Sequence, residues 1–123
     1  MTSISQTLND SFASLQGLAG VSVTYTRNTR AVTLTAVPGS TDFEVDTGDI
    51  IETMQSRDFL ILASELILGG FATLPKRGDT IREVIGGVET TYNVRAPAGE
   101  KHFRFDDPYR KILRIFTTQT TES

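Results

Sequence analysis

The chain has no cysteine in its 123 residues, which excludes a disulfide framework, a thiolate metal site and a cysteine nucleophile. Cytoplasmic synthesis fits that composition. Histidine occurs once, at His102, so neither a histidine-rich metal cluster nor a two-histidine site is available. Long apolar runs are missing as well: Phe59 to Ala63 and Leu66 to Leu68 fall far short of the roughly 18 residues that a membrane span requires. The N-terminal Met1 to Gln6 has neither a positive n-region nor a continuous apolar stretch, so a soluble chain without an export signal or a membrane partner is expected. Basic charge is in short supply too. A formal net charge of -3 leaves no field with which to hold free nucleic acid as the main partner.

No Gly-x-Gly-x-x-Gly, Walker-type or nucleophile-elbow pattern occurs, and Gly69-Gly70 and Gly86-Gly87 read as turns rather than phosphate cradles. His102 lies between polar neighbours on an alternating segment, where an exposed or interface histidine is far commoner than a catalytic base. Asp106-Asp107 beside Pro108 reads as a turn-initiating pair without a partner acid. The chain is expected to be no enzyme and to hold no cofactor or metal. Arg77-Gly78-Asp79 matches an integrin-ligand tripeptide by chance, and Asn9-Asp10-Ser11, a formal glycosylation site, falls on a predicted helix.

What is present is a length suited to one real core, so residues 1–123 are expected to form a single domain. Ile4, Leu8, Phe12 and Leu15 line one stripe of an N-terminal helix (1–18) that ends near Gly17. The period then changes to two. Val21, Val23 and Tyr25, and after Arg27-Asn28-Thr29-Arg30 the residues Val32, Leu34 and Ala36, alternate with polar partners as in a half-buried hairpin. Residues 21–62 hold these first strands and an acidic segment, 41–56, with Asp42, Glu44, Asp46, Asp49 and Glu52 and no base. Its Asp-x-Glu-x-Asp start resembles a calcium loop, but Thr47 stands where the turn glycine belongs and Thr53 where a bidentate glutamate belongs. Phe43 and Val45 alternate with the acids as in an edge strand, where charge discourages unwanted pairing.

Arg57 to Leu62 is apolar at successive positions from Phe59, which predicts a central or interface strand covered on both faces. Residues 64–75, with Gly69, Gly70 and Pro75, form the expected mobile connection. Pro75 to Asp79 is a turn, and residues 74–119 supply a hairpin across Gly86-Gly87, Phe103 and Phe105 on an alternating segment, and a closing strand from Lys111 to Gln119. The expected fold is mainly β (α+β): a small antiparallel β-barrel or sandwich with an N-terminal amphipathic helix. Charge is uneven, with eight acids against three bases up to residue 74 and seven against nine beyond it, so identical copies can meet acidic face to basic face in a head-to-tail ring.

Taken in order, Tyr25-Thr26-Arg27, Arg57-Asp58-Phe59-Leu60-Ile61, Pro75-x-x-Gly78-Asp79-x-Ile81, the strand around Gly87, Tyr92 and Val94, Phe103 to Arg110, and Leu113-Arg114-Ile115-Phe116-Thr117 resemble the head-tail joining proteins of tailed bacteriophages and prophages, of the head-completion or stopper type. The resemblance implies a structural virion protein that adds as a ring at the neck, closes the DNA-filled head and offers the tail a surface. Its partners are then portal or adaptor proteins and tail proteins, with a few basic residues near DNA in the channel making nonspecific contact. It also implies loops that order on assembly. Asp46, Asp49, Phe59, Ile61, Arg77 and Asp79 are the expected interface residues. Departures from the pattern lie at Gly86 to Thr91, a longer turn, and at Phe116, to which no site role carries over. A tail-side terminator or connector ring, a small-molecule-binding β-barrel and a regulatory binding module are the competing readings.

Overall fold

The computed structural model describes residues 4–119, so the Met1 to Ser3 start lies outside it. Its first element is helix α1 (Ile4–Ala19), which ends two residues beyond Gly17, where the glycine pattern predicts the stop. Gly17 is accommodated within the helix, and the stop comes at Gly20, whose N–H donates to the Gln16 carbonyl at 2.9 Å. A Cβ at Gly20 would stand 2.3 Å from that carbonyl oxygen, so only glycine lets the chain turn there. Of the predicted stripe, Phe12 is buried and Leu8 half-buried, whereas Leu15 and, beyond it, Leu18 are exposed. The helix is also tied down by polar contact, the Gln16 amide donating to the Thr35 carbonyl at 2.8 Å.

Nine strands follow: β1 (Val21–Arg27), β2 (Arg30–Asp46), β3 (Ile51–Leu62), β4 (Ile67–Leu68), β5 (Phe71–Ala72), β6 (Thr80–Ile85), β7 (Val88–Val94), β8 (Phe103–Phe105) and β9 (Ile112–Gln119). β1 and β2 form the predicted hairpin, from Val21↔Ala36 to Arg27↔Arg30, closed by Asn28 in the left-handed region at φ 56. β6 and β7 form the second, closed by Gly86 and Gly87 at φ 58 and 80, the primed turn that matches strand twist. Pairing runs β1–β2–β3–β9–β7–β6 and back to β1, all antiparallel, which closes a six-stranded barrel. β8 adds beside β9 through Phe103↔Ile115 and Phe105↔Leu113.

Alternation places Val23, Tyr25, Leu34, Ala36, Phe59, Ile61, Ile81, Val94, Leu113 and Ile115 inside the barrel as one buried cluster. Most of residues 64–75, expected as a mobile connection, is instead built: a short 3-10 turn (Ala63–Glu65) leads into the β4–β5 hairpin across Gly69-Gly70, which adds Leu66 and Leu68 to the core. The acidic segment is likewise built as strand. β2 pairs with β1 only as far as Ala36, then continues from Val37 to Asp46 against Leu60 to Ile51 of β3.

Candidate assembly surfaces

From Thr41↔Ser56 to Asp46↔Ile51 the two strands pair with each other alone, since β9 takes up β3 only from Arg57 onward. The result is a two-stranded arm that carries the barrel's sheet past its end. At about 3.3 Å per residue it extends on the order of 17 Å before the turn. That turn closes through Thr47 N–H to the Ile50 carbonyl at 3.1 Å, with Asp46 Oδ1 accepting from Gly48 N–H at 2.8 Å and Gly48 at φ 94. Register places Asp42, Glu44, Asp46, Ile51, Thr53 and Gln55 on one face, and Phe43, Val45, Glu52 and Met54 on the other. None of the arm's five carboxylates forms an ion pair among the described residues. Ile50, Ile51 and Met54 are exposed by 56, 67 and 45%.

The arm's root is held firmly. Asp58, fully buried, accepts from the hydroxyls of Thr41 and Ser56, one from each arm strand, and pairs with Arg114 of β9 at 2.7 Å. Phe43 packs edge-on against Phe116 with centroids 5.5 Å apart. Beyond Phe43, Glu44 and Asp46 on one strand and Ile51 to Gln55 on the other are exposed, with Val45 half-buried between them.

At the other end of β3 lies a groove of about 380 Å³ between Ala63, Ser64, Ala72, Thr73 and Leu74 on one side and Phe105, Arg110 and Lys111 on the other. Asp107 shapes its basic wall: its carboxylate accepts from the backbone N–H groups of Tyr109, Lys111 and Ile112 at 3.0, 2.8 and 2.7 Å. This clasp holds Arg110 at φ 58, an uncommon conformation for a residue with a Cβ. The Arg110 guanidinium sits over the Phe105 ring at 5.5 Å. Neither Arg110 nor Lys111 forms an ion pair among the described residues, whereas Arg82, Arg104 and Arg114 all do.

Among the described residues the barrel's interior is filled by side chains, with Tyr25, Phe59, Ile61, Ile81, Leu113 and Ile115 essentially without exposure. Chemistry on this chain is therefore presented by its surfaces. The sequence model of the phage head-tail joining proteins matches residues 2–123, practically the whole length. The chain belongs to that family. No curated protein matches it. As a head-tail joining protein it is a structural component of the phage virion that works at the neck and interacts with other head and tail proteins. Among the described residues, no helix is long and apolar enough to cross a membrane.

In this joining protein the six expected interface residues part company. Asp46 and Asp49 are exposed at the end of the arm. Arg77 is exposed and donates to the Glu100 carbonyl at 2.9 Å. Phe59 and Ile61 are members of the barrel core, because a strand paired on both sides points these alternate residues inward; their side chains reach no surface that a neighbour could touch. Asp79 is buried as well. It accepts from the Tyr25 hydroxyl, from the Lys76 N–H at 3.0 Å and from Arg27 at 2.7 Å, which fastens the 75–79 turn to β1. Burial, and after it Asp79, pushes the Tyr25 phenol far above its ordinary value, while Asp79 raises Arg27. His102, half-buried, donates through Nε2 to the Pro75 carbonyl at 2.8 Å, and so joins the same turn to the segment before β8.

Three features of these surfaces depend on contacts between residues distant in sequence or on local geometry that residue patterns do not display. Arg110's backbone depends on a clasp formed by Asp107. The groove depends on residues 63–64, 72–74 and 105–111 meeting in space. Asp58, read within an apolar strand, is a root clamp whose signal was a carboxylate in an otherwise buried run.

Proposed function

We propose that this chain is a head-completion protein: it adds as a ring at the phage neck, closes the filled head against portal or adaptor proteins on one side, and presents the other side to the tail. It acts without catalysis or cofactor, by surface complementarity alone. The observation that carries this reading is the arm, a two-stranded projection whose five carboxylates form no ion pair among the described residues and whose Ile50, Ile51 and Met54 are exposed. An isolated two-stranded ribbon is marginally stable in water, so a ribbon of this size is best accounted for as a surface that a neighbour covers. The free chain is expected to be a monomer or a weak small oligomer, with the ring templated by the head.

The test is complementation of a phage that lacks the gene. Filled heads without tails are expected in its absence, and tailed particles when the chain is supplied. Tailed, infectious particles formed without the protein would overturn the joining role at the head.

A further inference from the structure

We infer that in the ring the acidic arm of one copy seats in the basic groove of the next, so that the same heterologous contact repeats around the neck. The inference rests on the ring reading above and supplies its contact.

The two surfaces lie at opposite ends of one strand. β3 begins in the arm at Ile51 and ends at Leu62, next to the groove residues Ala63 and Ser64. Eleven residue steps of about 3.3 Å separate them by roughly 36 Å, and the arm points away from the groove, so no copy can fill its own. Two complementary patches on opposite ends of a rigid unit make a head-to-tail contact, which generates a ring when its rotation closes.

Charge identifies the occupant. The arm carries Asp42, Glu44, Asp46, Asp49 and Glu52 without one base, and the groove's wall carries Arg110 and Lys111, with no ion pair on either side among the described residues. Apolar surface matches too: Ile50 and Ile51 at the arm's turn would meet Leu74, 51% exposed, and Phe105 on the groove floor. Arg110 is held in a left-handed conformation by Asp107, and strained backbone of this kind persists where the surroundings fix a side chain for a task. A second copy therefore fits the groove better than a small ligand, because the same chain already presents the complementary acids at the correct end.

The experiment exchanges the charges in the full-length chain. Asp46→Lys with Asp49→Lys is one pair, Arg110→Glu with Lys111→Glu the other, and all four substitutions together restore attraction with reversed signs. Each pair alone should melt cooperatively, as the parent does, and lose complementation of the deletion phage; the fourfold exchange should regain it. Because the chain has no cysteine, Asp49→Cys with Arg110→Cys gives a second measurement. Oxidised particles should yield a ladder of disulfide-linked copies. Normal complementation by the groove reversal would overturn the inference, and so would loss with the groove pair while the arm pair still complements, the pattern of a small acidic ligand. A well-folded fourfold variant that complements no better than either pair, or particles without a disulfide ladder, would overturn it as well. Failure of the joining role itself looks different, since the parent chain would then be dispensable.

Discussion

Arg114 Nη1 meets Asp58 Oδ2 at 2.7 Å across 56 residues of sequence, and the same guanidinium reaches Asp106 through Nε at 2.8 Å. Burial works against the Arg114 charge, and the two carboxylates more than restore it. Gly39 lies opposite Asp58 in register, and a Cβ there would stand 3.4 Å from the guanidinium, so a small residue leaves the arginine its place. Arg114→Met would strand a fully buried carboxylate with only two hydroxyls for company. A loss of about 3–5 kcal/mol is expected, measured by urea unfolding. Adding Asp58→Asn should recover part of it. A single variant as stable as the parent would show that the pair holds nothing together.

The alkaline limb of stability reports the Tyr25 site. Burial and Asp79 raise the folded pKa of Tyr25 above its ordinary 10.0, and burial with Glu83 raises that of Tyr92. With a raised folded value, the unfolded chain gives up its proton first. The contribution is complete below about pH 10 and is lost as the pH climbs from there toward the folded value. Melting temperatures should thus fall above pH 10, and Tyr25→Phe should flatten that fall, at a cost near neutrality of about 1 kcal/mol for one hydrogen bond. An alkaline limb unchanged by the substitution would refute the assignment.

Much of the barrel could be read from pattern because local rules and tertiary structure agree there. Asn28 and Gly86-Gly87 sit at positive φ where turn chemistry places them, and Tyr25, Ile81 and Ile115 point inward at alternate positions. The misreadings come where partners are distant. Asp79 follows a turn glycine and looks solvated, yet Tyr25 and Arg27, more than 50 residues earlier, draw it inside. Phe59 and Ile61 suit an interface strand or a central one equally well until β9 pairs beside them. The Ile51 to Ser56 stretch lacks clean alternation because Ile51 to Gln55 are exposed whichever face they lie on, so only its pairing with residues 41–46 reveals a strand.

Core substitutions should separate from surface ones. Ile81 is 1% exposed, between β1 and β7. Ile81→Asp would bury an unpaired charge at a cost of several kcal/mol, comparable with the whole stability of a small domain. No cooperative thermal transition is expected for it. Asp46→Lys with Asp49→Lys should cost only about 1 kcal/mol, the hydrogen bond that Asp46 accepts from Gly48 N–H at an exposed turn. A cooperative, parent-like melt of Ile81→Asp would contradict the core assignment.

The arm should behave as a unit less stable than the barrel it grows from. Its distal pairs have neighbours on one side only, whereas the root is secured by Asp58 and by Phe43 against Phe116. Hydrogen exchange on the free chain should therefore find amides from residue 44 to 53 exchanging by local opening, and those of β1, β6 and β9 only by global unfolding. Phe43→Ala removes an edge-on aromatic contact worth about 0.5–1.5 kcal/mol beyond its buried area. It should carry fast exchange down toward residue 41 while the barrel amides keep their protection. In assembled particles the ordinary arm should exchange slowly, because a neighbouring copy then covers it. Slow exchange at residues 44 to 53 in the free monomer would mean that the arm is already stable alone, and would remove the reason for seeking its partner on another copy.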